Sequence, residues 1–191
     1  MKSLRSPLFA LVLLLIVLLL IGLPLLSRGS LAPPVDDGRV IEFRSEKLGF
    51  RVSYPAAWQA FEDPRDLVGP SPTNLHVVAF VPSPDSKALV LVYVQTLTTT
   101  ETLDEYANRQ MRDLRANEVK AQFYDLKPLK VGGVDARSTG ATVTSENPVR
   151  DVRLVCVLNG QRAYALIYSG PQAGQYPAAF NAVVDSFAFP P

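Results

Sequence analysis

The sequence predicts an α+β domain, an antiparallel β-sheet sandwiched between helices in an α/β/α arrangement, preceded by one N-terminal transmembrane helix. Three observations carry this prediction. Residues 88–96, ALVLVYVQT, are apolar at nearly every position, as a central strand covered on both faces requires. Asn159-Gly160 lies between two β-rich runs and marks an antiparallel hairpin of type I′. Two other segments, near 103–114 and 176–187, repeat apolar residues at helical spacing and so present one stripe each for burial.

The chain opens with residues 6–27, SPLFALVLLLIVLLLIGLPLLS, which hold no charge. At helical rise this run is about 33 Å long, enough for a bilayer core of about 30 Å. Lys2 and Arg5 precede it, and Asp36 and Asp37 follow, so the charge bias keeps the N-terminus cytoplasmic and exports the rest. The run exceeds the apolar stretch of a cleaved signal peptide, and its best cleavage position, Ser30-Leu31-Ala32, is followed by Pro33. Residues 1–27 therefore read as an uncleaved signal anchor, 28–39 as a Pro- and Gly-rich linker, and 40–191 as the domain.

Along the domain, alternation and β-branched content place strands at 40–44 and 50–54, then at Leu75–Val81, 88–96, about 122–126, 136–145, 150–158 and 162–169. Gly132-Gly133 reads as a hairpin turn between Val131 and Val134. Thr102-Leu-Asp-Glu105 is a capping box that starts a helix, and Leu103, Tyr106, Ala107, Met111 and Leu114 form its stripe. The second helix starts near Pro177, with Tyr176, Ala179, Phe180, Val183, Val184 and Phe187 along one side.

Composition narrows function. Of 19 Lys and Arg residues, Lys2, Arg5 and Arg28 fall in the first 28 positions; the remaining 16 face all 18 acids, a formal −2. No element clusters Lys and Arg, so no nucleic-acid partner is expected. Cys156 is the only cysteine, which rules out an intramolecular disulfide.

No catalytic, cofactor or metal site is expected, because each candidate group lacks partners. His76, the only histidine, would need an all-carboxylate set to hold zinc. Cys156 shares a strand face with Leu154 and Leu158, and such a thiol stays protonated and inert. No G-x-S-x-G elbow is present. Asp36-Asp37 and Glu62-Asp63 are carboxylates of the kind calcium accepts, but adjacent strand or loop residues diverge. Thr98–Glu101 reads as a strand exit that feeds the helix cap.

GFRVSYPAAWQ, residues 49–59, alternates Phe50, Val52 and Tyr54 on one face. Pro55 then removes a backbone donor, and Trp58 folds its ring back over the end of the sheet. This stretch resembles the opening signature of PsbP-like domains. TLDEYANRQMRDL resembles that superfamily's first helix. NGQRAYALIYSG and YPAAFNAVVDSFAF resemble its closing hairpin and C-terminal helix, with the Ser186-Phe187 pair at the end. The resemblance spans roughly residues 41–189. It implies an α/β/α sandwich around an antiparallel sheet. It also implies a non-enzymatic role in docking to a larger partner, as in the extrinsic photosystem II subunit, a nuclear Ran-binding protein and bacterial envelope proteins. Phe50, Tyr54, Pro55, Trp58 and Phe187 are then core markers and not a site.

The expected function is accordingly a membrane-tethered, extracytoplasmic accessory or assembly factor for a membrane protein complex, with the photosystem among the complexes the resemblance suggests. The alternative is a carrier of a small ligand or lipid, using a Tyr- and Phe-lined pocket between sheet and helix.

Overall fold

A computed structural model describes residues 38–64, 74–83, 86–118 and 120–190. The predicted membrane segment and most of the linker lie outside these residues. No helix among the described residues is long and apolar enough to cross a membrane.

The elements are β1 (Val40–Ser45), β2 (Phe50–Pro55), β3 (Gln59–Glu62), β4 (Leu75–Val81), β5 (Leu89–Thr96), α1 (Leu103–Asn117), β6 (Gln122–Phe123), β7 (Lys127–Val131), β8 (Val134–Val143), β9 (Arg150–Asn159), β10 (Arg162–Pro171) and α2 (Tyr176–Ser186). Every strand pairing is antiparallel. Strands β3 to β10 make one eight-stranded sheet in the order β3-β4-β5-β10-β9-β8-β6, with β7 also on β8. The all-apolar strand β5 lies inside the sheet, as its composition demands, with Val90 to Val94 buried without a break.

Side-chain alternation divides the core in two. On the front face Val78, Phe80, Val92, Val155, Leu166 and Tyr168 meet Phe180, Val183 and Val184 of α2 together with Phe50, Val52 and Tyr54 of β2. On the back face Val77, Leu91, Tyr93, Cys156 and Ala165 meet Tyr106 and Ala107 of α1, and Leu114 packs on Ala141 and Val152. One face is therefore roofed by a helix alone. The other is roofed by a helix and a separate two-stranded sheet, β1-β2, rather than by helix only.

Local rules explain most boundaries. At the start of α1, Thr102 Oγ1 accepts from Glu105 N at 3.3 Å, and Glu105 Oε2 accepts from Thr102 N at 2.8 Å. Gly132 and Gly133 both have positive φ (57° and 84°), the requirement of a type I′ turn between β7 and β8. The β9–β10 hairpin turns one residue later than the Asn-Gly signal suggests. Asn159 pairs with Arg162, so Gly160 and Gln161 are the central residues, and positive φ at Gly160 alone (60°) is the type II′ pattern.

Three further differences from the sequence reading have physical causes. Strand β3 follows Trp58 directly, in a stretch too short and too mixed to show alternation. The strand expected at 122–126 is only the two-residue β6, and a strand that was not expected, β7, follows it on the same edge of β8. Strand β10 runs through Gly170 to Pro171, because Gly170 lets it pass within contact of Ala88, where a Cβ would come 2.9 Å from that residue's own Cβ.

Candidate functional site

The residues singled out by sequence sit mainly in the core. Phe50 and Phe187 are fully buried and stack at 5.2 Å between centroids with an 8° interplanar angle. Tyr54 packs on Phe80, and Pro55 ends β2, after which Ala56 N donates to Arg39 O at 2.9 Å. Trp58 is buried with its ring 6.1 Å from that of Tyr176, the first residue of α2. The C-terminal Ser-Phe pair acts as a lock: Ser186 Oγ accepts from Ser53 N at 2.9 Å, Phe187 stacks on Phe50, and Ala188 bridges to Arg51. These residues hold β2 and α2 together over the sheet.

His76 lies beside Asp63, with Nδ1 3.5 Å from Oδ1, and Val77 N donates to the same carboxylate at 3.3 Å. Glu62 and Asp63 thus do not form a joint chelate; Asp63 is turned into the backbone of β4. Asp36 and Asp37 lie outside the described residues. No group of three His, Cys, Asp or Glu residues among the described residues is placed to hold a metal ion. Thr98, Thr99 and Thr100 are exposed at an open cavity of about 750 Å³, where Glu101 and Arg109 neutralise each other at 2.8 Å.

Cys156 is fully buried on the back face. Burial pushes its thiol up from the usual 9.0 to about 12, against a small opposing effect of Arg109. The phenols of Tyr93 and Tyr106 on the same face are likewise raised by burial. Two outcomes follow. At pH 8, iodoacetamide modifies Cys156 in the folded protein roughly 100-fold more slowly than in urea, as measured by mass spectrometry. In the unfolded chain these groups ionise from about pH 9 upward while the folded protein keeps them neutral. Stability, read by chemical denaturation, is therefore retained below pH 9 and falls as pH rises from 9 toward 12.

A second concave site lies on the front face beyond the hairpin. It is a groove of about 540 Å³ between α2 and β7, open to solvent on one side. Phe180, Asn181, Val184 and Asp185 form the helical wall, as two adjacent rows in which 180 and 184, and 181 and 185, stand one turn apart. Asp125, Lys127 and Leu129, at alternate positions into β7, form the other wall. The floor is Ser138 of β8 with Asp151, Arg153 and Val155 of β9.

The floor carries a hydrogen-bonded network. Asp151 is almost wholly buried, and its Oδ2 accepts from Arg153 Nε at 2.8 Å. Its Oδ1 accepts from the Tyr124 hydroxyl at 3.1 Å, and Tyr124 also bonds Thr142. Arg153 Nη1 donates across the groove to Asn181 Oδ1 at 3.3 Å. A buried carboxylate is tolerated only when paired in this way. Asp151 and Asn181 together hold Arg153 in place across the groove floor. The arrangement suits recognition through charge and hydrogen bonds.

Sequence reasoning missed this groove, although a signal existed. Asp151 and Arg153 sit at alternate positions of an otherwise apolar strand, which puts both on one face. Asn181 and Asp185 stand one turn apart on α2, off its apolar stripe. Of the Tyr and Phe residues expected to line a pocket between sheet and helix, Tyr124 and Phe180 do so, while Tyr164, Tyr168, Phe50 and Phe80 fill the core.

An eight-stranded antiparallel sheet with helices α1 and α2 on opposite faces and an N-terminal hairpin beside α2 is the PsbP-like fold. The solution structure of cyanobacterial PsbP (CyanoP) from Synechocystis sp. PCC 6803 matches it with a TM-score of 0.59 at 16% identity, over 87% of this chain and 99% of that one. More remote likenesses include a Pseudomonas aeruginosa protein described as a putative regulator, with a TM-score of 0.48, 13% identity and coverage of 81% of this chain and 99% of that one. LpqN, involved in cell envelope biogenesis of Mycobacterium tuberculosis, gives 0.46, 10% identity and coverage of 80% and 91%. No protein-family model and no curated protein sequence matches the chain.

Proposed function

We propose that this protein is a membrane-tethered, non-enzymatic docking domain. It stands on the extracytoplasmic side of the membrane, where it assists or assembles a membrane protein complex. The observation that carries the reading is the pairing of a charge-free run at 6–27 with a PsbP-like domain whose concave site is built for recognition. Confinement to the bilayer plane raises the effective concentration of a docking domain near membrane partners, so a small interface suffices. Crosslinking in intact cells tests this. The full chain gives a reproducible adduct, and a chain lacking residues 1–27 but still exported gives at least about tenfold less. No reproducible adduct from the full chain would overturn the docking reading. Recovery of the full chain in the soluble fraction after alkaline carbonate would overturn the tether.

A carrier function is the second reading, favoured by the groove volume, which lies in the range of small-molecule sites. Native mass spectrometry showing a retained small molecule supports it.

A further inference from the structure

We infer that the groove between α2 and β7 receives a peptide segment of the partner in which an apolar side chain stands beside a basic one. This rests on the docking reading above and specifies its site.

Charge argues for the basic residue. Asp125 on one wall and Asp185 on the other are exposed and make no ion pair or hydrogen bond with any described residue. Asp151 and Arg153 cancel in the floor. Lys127 is the remaining base and shares the Asp125 wall, so the lining carries one excess negative charge, which Asp185 places on the helical wall. An acidic segment entering the groove would face like charge from Asp185 on the α2 wall; a Lys or Arg there would face opposite charge.

Shape and polarity argue for the rest. Leu129, Val155 and Val184 form an apolar seat on the groove's inner side, large enough in a 540 Å³ space for one or two side chains. Arg153 Nε and Nη1 are held by Asp151 and Asn181, which leaves Nη2 as a donor that a ligand's backbone carbonyl can accept from. A peptide supplies that carbonyl beside each side chain. A lipid chain would instead leave the Arg153 donor and the Asp125 and Asp185 carboxylates without complement.

The test uses the full chain in nanodiscs of zwitterionic lipid and a fluorescein-labelled peptide Gly-Leu-Lys-Leu-Lys-Gly, read by anisotropy against empty discs. Two control peptides replace both Lys by Glu, or both Leu by Ser. The Leu-Lys peptide binds, and both controls bind about tenfold more weakly. Asp125→Asn and Asp185→Asn, at exposed positions the fold does not use, each weaken binding about two- to fivefold, and more steeply at low salt. Lack of binding at about 1 mM peptide, equal binding of the Glu peptide, equal signal from empty discs, or binding unchanged in the double Asn variant each overturns the assignment. If the in-cell adduct survives in that double variant, the docking reading stands and the groove is not its site.

Discussion

Trp58→Ala lowers the unfolding free energy by about 3–5 kcal/mol and the melting temperature by roughly 10–15 °C. Trp58 is only 6% exposed, and it sits in the front-face core between the end of β2 and the start of α2. Its neighbours cannot close the gap. On one side Pro55 and the β1–β2 register are fixed by the hairpin pairing of Val40 with Pro55. On the other side Tyr176 and Pro177 begin α2, whose far end is locked by Ser186 and Phe187. A cavity therefore remains, and the loss includes both transfer and cavity contributions. Trp58→Phe, which refills much of the volume, recovers more than half of the loss. Calorimetry on the exported domain in its tethered form checks both. Unchanged melting of Trp58→Ala together with lost partner capture would show that the ring serves the interface, contrary to its burial.

That result bears on what the signature GFRVSYPAAWQ encodes. Gly49 has φ of 70°, and a Cβ there would come 2.1 Å from Arg162 Nη1, while Tyr164 donates its hydroxyl to Leu48 O at 3.0 Å. Phe50, Tyr54 and Trp58 then each pair with an aromatic ring of the front-face core: Phe187, Phe80 and Tyr176 in turn. The stretch fastens the hairpin to the sheet.

Periodicity made the long elements legible. Strand β5 betrayed its internal place by lacking polar positions, and α1 was bounded by a capping box that the structure forms atom for atom. Short edge elements were not legible. Strand β3 has four residues and β6 two, so neither shows a period, and their pairing partners on β4 and β8 are what make them strands. The detachment of β1-β2 as a separate sheet was also hidden, because local alternation is the same whether a hairpin extends a sheet or lies across it.

The groove was hidden for a related reason. Its walls come from segments about 55 residues apart in sequence, the approach to β7 and the middle of α2, and they meet only because β7 and α2 both flank β8 and β9. The roof of the front face explains why a groove exists at all. The hairpin and α2 cover β4, β5 and β10, and the sheet continues beyond them to β9, β8 and β7. On that part the front face joins core residues Val131, Ala136 and Val155 to polar ones, Lys127, Ser138, Thr142, Asp151 and Arg153.

The second large effect concerns the opposite side of the sheet. Arg150 begins β9 and is buried with Glu118, which follows the last turn of α1; Nη2 lies 2.9 Å from Glu118 Oε2 and 2.9 Å from Glu146 Oε1. Glu118 is an awkward residue for that position, since a helix C-terminus already carries partial negative charge. Arg150 makes it tolerable, and the guanidinium is held charged by both carboxylates against the cost of its burial. Arg150→Met therefore strands a buried carboxylate at the negative end of a helix and costs about 3–5 kcal/mol. Glu118→Gln costs less, about 1–2 kcal/mol, because Glu146 still pairs with Arg150 and remains half exposed. Arg150→Met combined with Glu118→Leu removes both charges from a site of matched volume and restores most of the stability. Urea denaturation of the three variants gives the ordering. A double variant no more stable than Arg150→Met alone would mean that the loss comes from packing of the Arg150 stem, and that α1 is held to the sheet by Leu114, Ala141 and Val152 without help from the ion pair.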